Sequence, residues 1–333
     1  MSKYLSKRIL SSLLAVAGLF VMVFFLARLT GDPGHLYLPI DAPVEVRKEF
    51  SEKHGFNDPI YIQFGRFLED LSEGNLGYSL RKERPAIDIV LEAIPVTLSL
   101  AAVAMTIALL GAILIGSLAA YKPNGLFDRI SRVVSLTAAS APDFWLAITA
   151  ILIFSVSLGW LPTSGIGGFP YWIMPIAILV IRPLGLLVQV VRGSMITALS
   201  SDFVKTARAK GVKENKVIFK HALRNGLLPV ITVAGDQAAA IANGAVIVET
   251  IFGWPGIGKL MIDSIMQRDF AVVQASILIT AIVILSINII IDIAYAILDP
   301  RIRHKSVSYT HLRAHETDSY LVCRLLLENN LMF

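Results

Sequence analysis

The stretch GWPGIGKL, residues 253–260, carries the residue types of a phosphate cradle. A nucleotide-binding loop reads G-x-x-x-x-G-K-[ST]: backbone amides wrap the phosphates, the lysine reaches the terminal phosphate and the hydroxyl binds magnesium. Gly253, Gly258 and Lys259 fit that pattern, but Leu260 stands where the hydroxyl must be and no strand pattern precedes the stretch. It is expected to be a Gly/Pro-rich turn. A second chemistry is a pair of aspartates sharing one proton, as in a membrane protease. Asp236 and Asp292 are the available pair, but VAGD lacks the first glycine of the G-x-G-D signature. No H-E-x-x-H, no Gly-rich dinucleotide fingerprint and no G-x-S-x-G elbow occurs. Cys323 is the single cysteine, so neither a disulfide framework nor a cysteine metal cluster can form. No catalytic residue, metal site or cofactor is expected.

Polar groups inside apolar runs are the remaining source of chemistry, because an ionisable side chain in a bilayer is costly and points to function by default. Arg182 lies beside Pro183 in one such run. Asp236, Gln237 and Asn243 share another, and Asn288 and Asp292 a third. Asp236 and Asn243 are seven apart, which puts them on one helix face. Two readings stand: these groups line an aqueous path, or they join helices through hydrogen bonds or an Arg–Asp pair. Glu249, just beyond its run, reads as a surface carboxylate able to meet a cationic group or a partner.

Those residues must be positioned by membrane-spanning helices. The chain has 333 residues, is 55% hydrophobic and only 17% charged, with a mean hydropathy of +0.67. Soluble domains carry about 25% charged residues. The net charge of +5 could suggest nucleic acid, but the basic residues sit between long apolar runs, as in cytoplasmic loops of membrane proteins. Runs near the ~20 residues that cross a bilayer fall at about 9–29, 96–120, 133–158, 172–191, 227–248 and 271–298. The first is too long for a signal core and lacks a small-residue cleavage site, so it reads as a retained anchor. The fold class expected is all-α, a polytopic integral membrane protein with about six transmembrane helices.

Lysine and arginine set the orientation. Lys3, Lys7 and Arg8 precede the first span. Lys122, Arg129 and Arg132 follow the second, eight basic residues from Arg192 to Arg224 follow the fourth, and Arg301, Arg303 and Lys305 follow the sixth. The alternate loops are poor: 159–171 has none and 249–270 only Lys259 and Arg268. Both termini are therefore expected in the cytoplasm of an inner-membrane protein, with 31–95 outside. GWPGIGKL then lies on the outer side, away from ATP.

The stretch SDFVKTARAKGVKENKVIFKHALRNGLLPV, 201–230, reads as a basic helix–turn–helix on the inner face. Ser201 and Asp202 cap a helix through Lys210, and Gly211 breaks it. A second helix runs from Lys213 or Glu214 to Arg224 with Val217, Ile218 and Ala222 as its apolar side; Asn225-Gly226 ends it and Pro229 opens the next span. Ala207 and Gly211 would let another backbone come close, and His221 and Arg224 would present polar groups to a partner. The alternative is a basic loop that sets topology and touches lipid headgroups.

The stretch resembles the cytoplasmic loop of ATP-binding-cassette importer permeases, whose pattern is an E-A-A triplet, a glycine and an I-x-L-P group. Lys205-Thr206-Ala207 takes the triplet position without its acidic member. Gly211 takes the glycine and Leu223 the leucine, and His221 and Arg224 replace the Ile and Pro. These departures, TARAKG and HALRN, resemble the oligopeptide/dipeptide/nickel branch. So do GDP, DRISRVVSL, APDFW, LPTSG, VIVETIFGWPGIGKL and LDPRIR, in that order to about Lys305. The outer segment 31–95 resembles the first of two paired permease subunits.

The resemblance implies a type I importer permease moving peptides, glutathione or a nickel chelate, with no catalysis of its own. Implied partners are a second permease, two cytoplasmic ATP-binding subunits, an extracytoplasmic solute-binding protein and the lipid bilayer, with no nucleic acid. Lys205, Thr206, Ala207, Gly211, His221, Leu223 and Arg224 would couple to an ATP-binding subunit through loop 201–226. Arg182, Asp236, Asn243 and Glu249 are the path candidates. The organisation expected is an N-terminal span (1–30), an outer segment (31–95), a permease core (96–305) and a tail, 306–333. The tail resembles translated adaptor read-through, is expected to be poorly ordered, and is assigned no function.

Overall fold

The computed structural model describes residues 2–29, 42–53, 57–79, 81–267 and 269–298, with the side chains of some of these, Asn243 and Asp292 among them, outside the description. The expectations for the tail 306–333 and for the first part of the outer segment lie outside the described residues. The elements in chain order are α1 (Ser2–Leu29), α2 (Val44–Lys53), α3 (Ile60–Ser72), β1 (Tyr78–Ser79), β2 (Arg84–Pro85), α4 (Ala86–Tyr121), α5 (Leu126–Ser140), α6 (Asp143–Ala150, continued by a π-helical stretch Ile151–Ser157), α7 (Phe169–Leu199), α8 (Asp202–Ala209), α9 (Glu214–Lys216, continued by a π-helical stretch Val217–Ala222), α10 (Leu223–Ile251), α11 (Ile257–Met266) and α12 (Phe270–Leu298). Among the described residues the one departure from all-α is the antiparallel pair β1–β2.

Helix α4 shows why this sequence packs in lipid. Leu100, Ala104, Ala108, Ala112, Gly116 and Ala120 recur every four residues and are all buried, whereas Val103, Ile107, Leu110, Leu114 and Leu118 are exposed. Lipid tails are as apolar as leucine, so large side chains gain nothing by facing inward. Small residues gain close helix contact. A Cβ at Gly116 would sit 2.7 Å from Val191 Cβ, and one at Gly185 2.5 Å from the Ser135 carbonyl. These two glycines set the α4–α7 and α5–α7 approaches.

Among the described residues four helices are long and apolar enough to span a membrane: α4, α7, the run Glu214–Ile241 and α12. The span expected at 133–158 is not one straight helix: α5 and α6 with its π-helical continuation, apolar enough together to cross, meet at 99°. Pro142 forces this, since it disfavours helix at the residue before it, and Ala141 is extended. In α1 the described apolar stretch is the shorter Leu13–Phe25. The expected stop at Asn225-Gly226 is also corrected. The helix runs on through both residues and through Pro229 to Ile251. Gly226 is there for contact, since a Cβ would meet Met195 Sδ at 3.1 Å.

Three apolar clusters follow one another along the bundle. One joins α4, α7, α8, the 217–222 stretch and α10. The middle one joins α4, α6, α7 and α10 and ends on Phe252 and Trp254. The third joins the start of α4 to α11 and α12. The β1–β2 pair is pinned to this last end by a Ser79 Oγ–Asp269 hydrogen bond between buried side chains.

Candidate functional site

At the first of these ends the chain forms the elbow 201–222. Ser201 is the residue before α8, but its hydroxyl donates to the Ala198 carbonyl rather than capping the helix. Asp202 pairs with Lys205 at 2.8 Å. After Ala209 the chain turns at Gly211, whose φ of +73° suits glycine. The Gly211 N–H donates to Arg208 O and the Val212 N–H to Ala207 O. Arg208 reaches across the turn to Glu214 at 2.6 Å, and that carboxylate raises the Arg208 guanidinium above its ordinary value. Leu223 N–H closes the π turn on Ile218 O. The i→i+5 step lets Val217 and Ala222, five apart, both face the core.

The elbow thus has two faces. Val204, Ala207, Val217, Ile218 and Ala222 are buried against Val191, Met195 and Ala198. Ala207 is therefore a contact to the chain's own bundle, correcting the expectation that it opens a face to another backbone. Leu223 and His221 are half-buried. Lys205, Thr206, Arg208, Lys210, Gly211, Lys213, Lys220 and Arg224 are exposed. Phe203 and Phe219 are also exposed, at 43% and 40%. Two outward aromatics among so many cations were missed in the sequence, although their place about 100° around the helix from Val204 and Ile218 was readable.

The opposite end explains GWPGIGKL. The chain leaves α10 at Ile251, turns through Gly253 and Trp254, and enters α11 at Ile257. The first amides of α11 do hold an acceptor, and it is the protein's own. Glu249 Oε2 accepts from the N–H groups of Gly258 (2.8 Å) and Lys259 (3.2 Å). Thr97 Oγ1 donates to Glu249 Oε1 (2.6 Å) and accepts from the Ile257 N–H (2.9 Å). These orphan donors and the positive end of the helix favour a carboxylate there. Glu249 is 0% exposed, which corrects its reading as a surface group. Side chains at Gly256 and Gly258 would overlap it. Trp254 is buried edge-on to Trp172, centroids 4.8 Å apart.

The intramembrane groups are spread out. Arg182 is exposed on α7. Asp236 is exposed on α10; the Asn243 side chain lies outside the described residues. A charge cluster that sequence reasoning missed lies between α5 and α7. Asp128, its side chain 0% exposed, accepts from Arg192 Nε and Nη2, Arg132 Nη2 and the Asn124 N–H. The signal was present in DRISR, an Asp–Arg pair at i,i+4 just before an apolar run.

The sequence profile of the "binding-protein-dependent transport system inner membrane component" family matches residues 112–304. The chain belongs to that family. The permease is 37% identical over 316 residues to the oligopeptide transport system permease protein AppB of Bacillus subtilis, covering 91% of this chain and 100% of that protein. It is 35% identical over 306 residues to the glutathione transport system permease protein GsiC of Escherichia coli K12, covering 92% and 100%. In fold it is similar to an amino acid ABC transporter (TM-score 0.50, 15% identity, 63% of this chain and 94% of that one). It is also similar to the MetNI methionine ABC transporter in inward-facing form (TM-score 0.51, 13% identity, 63% and 96%). The fold is the type I importer permease fold, and the chain is a multi-pass inner-membrane transport subunit rather than an enzyme. The family implies ATP-binding and solute-binding partners.

Proposed function

We propose that this permease imports peptides, glutathione-sized ones included, and is driven by ATP hydrolysis in two cytoplasmic subunits that grip the 201–222 elbow. The observation that carries the coupling part is the elbow's division into a face buried in its own bundle and an outer face of Phe203, Phe219 and exposed cations. Large aromatics ringed by charge are the usual anchors of a protein interface. Lys205, Thr206, Gly211, His221, Leu223 and Arg224 belong to the docking element, with Ala207 fixing it from within. A cytoplasmic location of the elbow and of both termini is supported by the elbow's cations. The solute comes from an extracytoplasmic binding protein. A second permease completes the path, for which Arg182, Asp236 and Asn243 are the candidate polar positions, Arg182 and Asp236 being exposed on their helices.

The peptide part draws on the relatives, whose names concern an oligopeptide and glutathione. The test is reconstitution of the chain in proteoliposomes with a second permease, the ATP-binding subunits and the solute-binding protein of its transporter. Uptake of labelled peptide is expected to need ATP and all four kinds of subunit, and to be competed by unlabelled di- to tetrapeptides. Uptake without the ATPase subunits, or transport of some other solute that peptides do not compete, would overturn the reading.

A further inference from the structure

We infer that Glu249 is a positioning residue: its buried carboxylate makes the outer helix α11 follow the elbow. The inference rests on the coupling role just proposed for the elbow. Residues 214–251 form one unbroken helical run, α9, the π turn and α10. At about 1.5 Å per residue it is a rod of roughly 55 Å. A hydrogen-bonded helix does not shorten, so a displacement of its first turn arrives at its last. Glu249 stands in that last turn.

Beyond Ile251 the covalent link to α11 is a short turn that on its own would bend. The carboxylate removes that freedom. Glu249 and Thr97 together take the N–H groups of Ile257, Gly258 and Lys259, so α4, α10 and α11 share one polar knot. Opening the knot would strand a buried carboxyl group and three amide donors away from water, which makes it a rigid connection rather than a hinge. Gly256 and Gly258 let the helix end sit this close. Beside the knot a cleft of about 350 Å³ lies between α4 and α11, with Lys82, Glu92, Pro255, Lys259 and Asp263 in its walls. A shift of α11 with the rod reshapes this cleft at the outer end. Glu249 therefore carries the elbow's movement to the side where solute arrives.

The test uses the full complex. Glu249→Ala is expected to cut uptake by about threefold to thirtyfold while ATP hydrolysis continues near the wild-type rate. Glu249→Gln is expected to restore most uptake, because its carbonyl oxygen still accepts from the α11 amides and its NH₂ can donate to Thr97. In a Cys323→Ser background, spin labels at the exposed Lys216 and Met266 should report one narrow distance, unchanged by nucleotide, in wild type and Glu249→Gln. The distribution should broaden in Glu249→Ala. Unchanged uptake in Glu249→Ala, parallel loss of uptake and hydrolysis in both variants, or an unaltered spin-label distribution would each overturn the inference. Loss of peptide uptake in the wild-type complex would count against the import reading instead, since the distance measurement needs no transport.

Discussion

Replacing Arg192 with methionine tests whether buried charge holds α5 to α7. In the native structure Asp128 Oδ1 and Oδ2 accept from Arg192 Nε and Nη2, the latter at 2.8 Å. Arg192→Met removes both bonds and leaves the carboxylate with Arg132 at 3.2 Å, itself 43% exposed, and the Asn124 N–H at 2.8 Å. Each charge-assisted bond is worth about 1.5–3 kcal/mol, and stripping one partner from a buried pair costs about 3–5 kcal/mol. Arg132 remains and Arg192 is 20% exposed, which argues for the lower end, about 3 kcal/mol. At about 2 °C per kcal/mol for a chain this large, the thermal midpoint should fall by about 6 °C. The assay is tryptophan fluorescence of the purified protein in detergent during heating. A sharper result concerns the double variant. Asp128→Leu with Arg192→Met leaves no buried charge, so it should melt above Arg192→Met alone, despite carrying one more substitution. A single variant within about 1 °C of wild type, or a double variant equal to the sum of the singles, would refute the reasoning.

Gly256→Ala places a methyl against Glu249 Oε1 and Thr97 Oγ1 and should cost about 1–3 kcal/mol, read as a lowered melting midpoint. An added Cβ at Gly211 meets nothing within 4 Å, and the φ of +73° strains Gly211→Trp. Membrane insertion should be retained with a loss of about 1–2 kcal/mol, while ATP-driven uptake disappears; normal uptake would count against docking there. Phe203→Ala and Phe219→Ala remove exposed rings, so melting should barely change while affinity for the ATPase subunits falls by about 1–3 kcal/mol, measured by co-purification at graded concentrations. Glu214→Gln breaks a surface pair with Arg208 and should cost less than about 1 kcal/mol, separating the elbow's fold from its anchors.

The spans and the elbow were legible because both rest on local rules. Apolar length marks α4, α7 and α12, and Gly211 announces its own turn through its conformation. Relations between distant residues were not. Glu249 and Thr97 are 152 positions apart, and nothing in either neighbourhood signals the other, so a core carboxylate read as a surface one. The same holds for Asp128 and Arg192. Pro142 was legible as a helix breaker, yet the apolar run around it suggested one straight span, because length was allowed to outweigh backbone geometry. At Asn225-Gly226 the opposite error occurred: a turn-like dipeptide was overruled by packing of Gly226 against Met195. Ala207 turned inward because the hydrophobic side of α8 is fixed by Val204 three residues earlier.

The central claim is that the 201–222 elbow couples a neighbour's ATP cycle to this permease. A single cysteine at Phe219, in a Cys323→Ser background, tests it in the assembled transporter in native membranes. The account expects this position to crosslink to an ATP-binding subunit, with a yield that changes between nucleotide-free and ATP-bound states. Labelling of that cysteine by a membrane-impermeant reagent from the outer side, or a crosslink pattern that never includes an ATP-binding subunit, would contradict it.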